Sequence, residues 1–311
     1  MTGGLRTIFM GTPDFAVPTL EMLARETDLQ LVITQPDKRQ GRGKKLVFSP
    51  VKTRALELGL TVIGPSVVKG KRFATTIAEY SPDVLVTAAF GRLLGRSLIE
   101  MPRYGCLNVH ASLLPRYRGA APINWAIING ETETGVSIMK TVEALDAGDV
   151  YAVRKVAIQQ QTAGELTQVL SELGARTLLE VLKQIDSIVP SPQNDAEATF
   201  APIMKKADGH LNWLKSAREL ECQVRGMHPW PGTHFVWEDK SVKVHSVERM
   251  DTAPPAGVEC GTVLAHTLDG IDVACGEGTL RLTSLQMPGK KRLDARQFFA
   301  GTKLSVGTRF Q

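Results

Sequence analysis

Cysteine is scarce in this chain of 311 residues: the four, Cys106, Cys222, Cys260 and Cys275, are scattered and form no Cys-x-x-Cys pair. That spacing excludes a disulfide framework and offers no zinc or dithiol centre, so reduced thiols and no metal are expected. No apolar run approaches the roughly 18 residues that a membrane span requires. The amino terminus leads directly into a short strand-like run at 7–11, without the charged and apolar segments of a signal peptide, which points to the cytoplasm. In the turn that follows, Met10-Gly11-Thr12-Pro13-Asp14 supplies one glycine where a dinucleotide fingerprint needs three. No Walker-type lysine loop occurs either, so both NAD-dependent and ATP-driven chemistry are disfavoured.

What is present is an ordinary globular composition, 43% hydrophobic and 22% charged. The length exceeds that at which one core usually stops growing, which predicts two domains. A net charge of +5 suits a polyanionic partner only where the basic residues cluster.

Short β-branched runs at 7–10, 29–34, 83–89, 105–110, 135–140 and 150–157 alternate with helical patterns. That alternation predicts an α/β domain over 1–189, a Rossmann-like parallel sheet covered by helices on both faces. Ser49 before Pro50 and Thr12 before Pro13 read as helix caps. The stretch 190–207 is proline-rich without an apolar period and reads as a linker. Beyond it, over 208–311, a helix near 216–225 precedes five alternating runs at 233–237, 242–247, 261–265, 271–274 and 280–285. Five short strands separated by tight turns predict an OB-like β-barrel.

The chemistry gathers at the end of the run 105–110. Side chains two apart on a strand share a face, so Asn108 and His110 project together while Val109 points away. Open α/β sheets place their sites at the carboxyl ends of strands. A turn-rich loop follows, Ser112-Leu113-Leu114-Pro115-Arg116-Tyr117-Arg118-Gly119, and a second polar loop brings carboxylates at Glu143, Asp146 and Asp149. An amide donor, an imidazole and a carboxylate suit acyl transfer to an amine, with the amide stabilising an oxyanion and the imidazole moving a proton. No serine or cysteine nucleophile is evident beside the pair, which favours direct transfer.

With Asn108-Val109-His110-Ala111-Ser112-Leu113-Leu114-Pro115 followed by Leu145-Asp146-Ala147-Gly148-Asp149, the chain resembles the 10-formyltetrahydrofolate-dependent formyltransferases. The resemblance implies a triad of Asn108, His110 and Asp146, with Asn108 and His110 stabilising the tetrahedral intermediate as an amine attacks the formyl carbon. It also implies a folate site formed by Phe90, Gly91, Arg92 and Leu93 together with Ser112, Leu113, Leu114, Pro115 and Asp146. Ala144 stands where the family often has glycine.

Three further stretches are similar to members of the family whose acceptor is initiator methionyl-tRNA: Phe9 to Ala16, Gln35 to Leu46, and Arg116 to Pro122. The similarity continues through Pro229-Trp230-Pro231 and Gln286 to Lys291. Independently, Lys38, Arg39, Arg42, Lys44 and Lys45 place five cations within eight residues that contain no acid. Such a cluster can follow the phosphates of a tRNA, and Lys290 and Lys291 add to it from the second domain. The segment Asn124-Trp125 with Asn129 to Gly135 is instead similar to formyltransferases acting on nucleotide-linked amino sugars, which remain the alternative acceptor. The site lies within one domain, so a monomer is expected.

Overall fold

The structure, a computed structural model, describes residues 4–40, 45–250, 252–300, 302 and 304–311. The strands of the first part of the chain are β1 (Arg6–Gly11), β2 (Asp28–Ile33), β3 (Lys38–Gln40), β4 (Lys45–Val47), β5 (Val62–Ile63), β6 (Val84–Ala88), β7 (Cys106–His110), β8 (Arg118–Gly119), β9 (Glu133–Lys140), β10 (Val150–Ala157) and β11 (Phe200–Ala201). The helices are α1 (Val17–Glu26), α2 (Pro50–Glu57), α3 (Lys71–Ala78), α4 (Arg96–Ile99), α5 (Pro122–Ile128), α6 (Ala163–Lys183), α7 (Ala217–Gly226) and α8 (Ala295–Ala300). Ser49 caps α2 as expected, accepting from Lys52 N at 3.1 Å. Thr12 caps nothing; its hydroxyl accepts from Gln35 N, and Pro13 instead precedes a single 3₁₀ turn.

Seven strands form one sheet in the order β10-β9-β7-β6-β1-β2-β5. β1, β2, β5, β6 and β7 run parallel, whereas β9 is antiparallel to β7 and β10 to β9. The expectation of an all-parallel sheet is therefore corrected at that edge. Only the loop 141–149 joins β9 to β10. A parallel return needs a crossover of a dozen residues or more, so this loop permits only an antiparallel one.

The chain divides into two compact units, and the division is not a single cut. Unit 1 comprises 1–122, 133–157 and 167–202; unit 2 comprises 123–132, 158–166 and 203–311. Most of the stretch read as a linker is in fact tied to unit 1. Ser191 exchanges backbone hydrogen bonds with Val150, and β11 pairs in parallel with β8. Backbone groups need partners whatever the composition around them, and here a two-residue strand supplies them.

In unit 1, one face of the sheet packs Ile8, Met10, Leu31, Ile33, Leu85 and Cys106 against Ile77 of α3 and Leu98 and Ile99 of α4. The opposite face meets α6. Gly174 of that helix lies over Val109, so close that an added Cβ would stand 2.6 Å from the valine Cγ1. Val109 is thereby fixed inward at 2% exposure, and the alternation of the strand turns Asn108 and His110 to the other side.

Unit 2 contains an antiparallel sheet of β12 (Thr233–Trp237), β13 (Lys240–Met250), β14 (Val263–His266), β15 (Ile271–Ala274), β16 (Thr279–Gln286) and β17 (Leu293–Asp294). The path is β12-β13-β16-β15-β14, with β17 also on β16. The last residues of the chain bond to both ends of that path. Gln311 exchanges hydrogen bonds with Val236 of β12, Phe310 N donates to Gly261 O, and Thr308 O accepts from Val263 N of β14. Phe310 stacks on Phe235 at 4.3 Å between centroids, inside a core with Trp213, Leu220, Val244, Leu282 and Phe298.

Gly174→Ala sets two effects against each other. Alanine gains roughly 1 kcal/mol of helix propensity, but overpacking against a fixed neighbour costs about 1–3 kcal/mol. The expected outcome in urea unfolding is net destabilisation, relieved when Val109→Ala is added.

Candidate active site

Asn108 and His110 occupy the last turn-ward positions of β7, held between β6 and β9: Asn108 is in register with Thr87 and Met139, and His110 with Ser137. The Thr87 hydroxyl donates to Asn108 Oδ1 at 2.8 Å. With its oxygen so engaged, the half-buried Asn108 amide keeps its two N–H groups for a ligand.

The His110 ring is 5% exposed. Its Nε2 lies 3.0 Å from the Tyr117 carbonyl oxygen. A carbonyl can only accept, so Nε2 carries a proton and Nδ1 is the nitrogen left for proton exchange. Nδ1 faces Asp146 Oδ2 at 3.7 Å, with the two side chains 6% and 15% exposed. The same carboxylate oxygen accepts from Gly119 N at 2.8 Å. Asp146 adopts a positive φ of 48°, a conformation that aspartate tolerates better than most residues. The three residues expected to act together are therefore brought together, from β7 and from the loop between β9 and β10.

The loop 111–117 is folded by hydroxyls. Ser112 Oγ donates to Arg116 O at 2.6 Å, and Ser137 Oγ donates to Ser112 O at 2.7 Å while accepting from Leu114 N at 3.1 Å. Ser112 is fully buried, and its hydroxyl shapes the loop through the Arg116 carbonyl. Leu113 lies against Gly135, whose added Cβ would stand 2.5 Å from the Leu113 Cδ2. Leu113, Leu114 and Pro115 are partly exposed.

At the neighbouring carboxyl end of β6, Phe90 is buried among Ile8, Met10 and Leu85, and its carbonyl accepts from Gln35 Nε2 at 2.9 Å. Arg92 Nη1 donates to the Pro65 and Ser66 carbonyls, Gly91 has φ 72°, and Leu93 is 59% exposed. Of these four, Leu93 offers the largest free surface; the Phe90 ring belongs to the core.

In the basic cluster, Lys38 and Arg39 lie on β3 and Lys45 on β4, which pair as a two-stranded antiparallel ribbon. Arg42 and Lys44 lie outside the described residues. Leu46, Val47 and Phe48 follow and are 57%, 43% and 43% exposed, with Lys52 Nζ 4.2 Å from the centre of the Phe48 ring. Lys290 and Lys291, in unit 2, are exposed.

Cys106 shares the face of Asn108 and His110, yet burial pushes its thiol up to about 12. It stays protonated near neutral pH and is no nucleophile. Among the described residues, no group of three or more His, Cys, Asp or Glu side chains is placed to hold a metal, and no helix is long and apolar enough to cross a membrane. Sequence reasoning missed Thr87, Ser137, Gly119 and Gln193, whose side chain donates to the Asp146 and Gly148 carbonyls at 2.8 and 2.7 Å.

Two family models match, "Formyl transferase" over residues 5–182 and "Formyl transferase, C-terminal domain" over 203–303. Over 98% of its length the chain is 45% identical to a methionyl-tRNA formyltransferase of Geobacter metallireducens, covering 98% of that protein. It is 43% identical to that of Caldanaerobacter subterraneus subsp. tengcongensis, over 98% of this chain and 99% of that one. A crystal structure of an N-formyltransferase from Helicobacter canadensis, in complex with folinic acid and dTDP-3-aminofucose, shares the fold. The TM-score is 0.64 at 15% identity, over 93% of this chain and 100% of that one.

Thr87→Val is nearly isosteric and frees the Asn108 amide to turn. A net hydrogen bond of about 0.5–1.5 kcal/mol is removed, so turnover is expected to fall up to roughly tenfold. Kinetics on the folded variant check this. In native alkylation near neutral pH, Cys106 is expected to remain unlabelled.

Proposed function

The chain belongs to the formyl transferase family, and from that premise we propose that it moves a formyl group from 10-formyltetrahydrofolate to the α-amino group of methionyl initiator tRNA. The observation that carries the chemistry is the convergence of Asn108, His110 and Asp146 at the carboxyl end of β7. The donor set fits a formyl donor: a free amide N–H for a carbonyl oxygen, an imidazole nitrogen for a proton, and a carboxylate beside it.

The folate, when bound, supplies an activated formyl carbon. The Asn108 amide donates to the oxygen on which negative charge develops, an interaction worth on the order of 2.7–4 kcal/mol where comparable donors have been removed. His110 Nδ1 exchanges the proton of the acceptor amine, and Asp146, held by Gly119 N, stabilises the ring when it is charged. The inert Cys106 thiol leaves direct transfer as the simplest path. The exposed Leu93 and the partly exposed Leu113, Leu114 and Pro115 are the side chains we assign to the pterin, with Phe90 to Arg92 contributing backbone.

Acceptor contacts are assigned to Lys38, Arg39, Arg42, Lys44 and Lys45, and in the second domain to Lys290 and Lys291. We read 1–189 as the catalytic domain and 208–311 as an OB-like domain that binds tRNA. The tail residues bonding to both β12 and the start of β14 support a barrel. We read the protein as a cytoplasmic monomer.

Supplying labelled donor with methionyl initiator tRNA, or with a nucleotide-linked amino sugar, tests the acceptor: label entering only the sugar would reject the tRNA reading. His110→Ala is expected to lower turnover at least about 100-fold while tRNA affinity changes little. Arg42→Ala with Lys44→Ala is expected to raise KM for the tRNA and flatten its salt dependence, with folate KM unchanged.

A further inference from the structure

The segment 191–195 leads away from the catalytic loops in sequence, yet one of its side chains holds the loop that carries Asp146. Gln193 is half-buried while both its neighbours are exposed. Its Nε2 donates to the carbonyls of Asp146 and Gly148, at 2.8 and 2.7 Å. Its Oε1 accepts from Arg118 Nε at 3.0 Å and Arg118 Nη2 at 2.8 Å. The amide is thus fully used, and its orientation is dictated by chemistry: a guanidinium can only donate, and a backbone carbonyl can only accept. Arg118 is itself 6% exposed, and the same Nη2 also donates to Asp195 Oδ1 at 2.7 Å.

The same short segment acts on Asp146 twice. Arg118 and Gly119 form β8, and Gly119 N grips the Asp146 carboxylate, while the Arg118 side chain, through Gln193, grips the Asp146 main chain. Asp146 sits at φ 48°, a conformation that persists only where its surroundings over-determine it. Gly148 is closely fitted too, since an added Cβ would meet the Lys140 carbonyl. With both carbonyls held, the carboxylate is presented to His110 Nδ1.

We propose that Gln193 is a positioning residue for formyl transfer: braced by Arg118, it fixes the Asp146 main chain so that the carboxylate faces His110. It touches no reacting atom, and its effect passes through Asp146. The proposal rests on the catalytic roles assigned above.

Two substitutions separate grip from bracing. Gln193→Ala removes both. Gln193→Glu keeps an acceptor for Arg118 but turns oxygens toward the two carbonyls, so the grip on the loop is lost. Both are expected to lower kcat on the order of 10- to 100-fold, the scale of an ångström-sized misplacement, with KM for folate and for tRNA unchanged within about twofold. Glu172→Ala, exposed on α6 and outside the clamp, serves as the unaffected control. In single-turnover measurements on an Asp146→Asn background, Gln193→Ala is expected to add little further loss, because both act through one group.

An independent arm reads the site without substrate. The ¹⁵N signals of the His110 ring in the full chain are expected to move in Gln193→Ala and Gln193→Glu and to stay in Glu172→Ala. Unchanged kcat, a fall in kcat matched by a rise in KM, full additivity with Asp146→Asn, or unmoved His110 signals would overturn the proposal. So would loss of folding in both Gln193 variants, which would make the residue architectural. A wild-type chain that formylates no tRNA would remove the proposed acceptor, while the ring signals would still report the clamp.

Discussion

The hydrogen bond from His110 Nε2 to the Tyr117 carbonyl is the constraint on which the site turns. It commits one ring nitrogen and leaves the other toward Asp146. It also folds the loop back across the strand end, which delivers Gly119 N to the same carboxylate. Tyr117 accepts a positive φ of 61° in the process, a conformation that costs roughly 1–3 kcal/mol. Its N–H donates to Thr199 Oγ1 at 2.9 Å and its carbonyl accepts from His110 Nε2, while the residue is 7% exposed. Leaving either buried group unpaired costs on the order of 1–3 kcal/mol, so two satisfied partners are enough to hold one strained residue.

That closure accounts for which parts of the site could be read from the chain alone. Asn108 and His110 are legible because a strand repeats every two residues, and Val109 obeys the same rule by turning onto Gly174. Asp146 was one of three carboxylates in its loop, and only the resemblance singled it out. Thr87, Ser137 and Gln193 lie 21, 25 and 47 residues from the atoms they bond, and no local period encodes such pairings. The proline-rich composition of 190–207 suggested a free connection, because composition records the lack of an apolar face and not the presence of β11 or of the half-buried Gln193 amide. Phe90 shows the reverse: its motif was legible, but the ring serves the core.

The strand positions of the larger sheet were legible for the same reason as the site, and its directions were not. Alternation locates a strand and says nothing of polarity, which is set by the length of the connection and by what it must bury. In unit 2 the runs were equally clear, but the bonds that Thr308 to Gln311 make to Val236 and to Gly261 and Val263 belong to a tail with no strand period. Its one aromatic, Phe310, carries the information: an apolar ring near a chain end has to find a core, and here it finds Phe235.

The two halves of the proposed reaction therefore draw on opposite physics. Asn108, His110 and Asp146 sit in a largely buried setting where electrostatic interactions are strong, geometry is fixed by backbone partners, and salt has little access. The cations assigned to the acceptor come from the basic run 38–45 and from Lys290 and Lys291, where each contact is weak, screened within about 10 Å at 0.1 M salt, and effective only as a set. A change at the first kind of residue disturbs orientation and is felt in turnover. A change at the second alters the local concentration of a polyanion and is felt in KM. Because the clamp on Asp146 lies wholly within unit 1, its influence belongs to the first kind, although the residue that makes it, Gln193, comes from a segment that looked like neither.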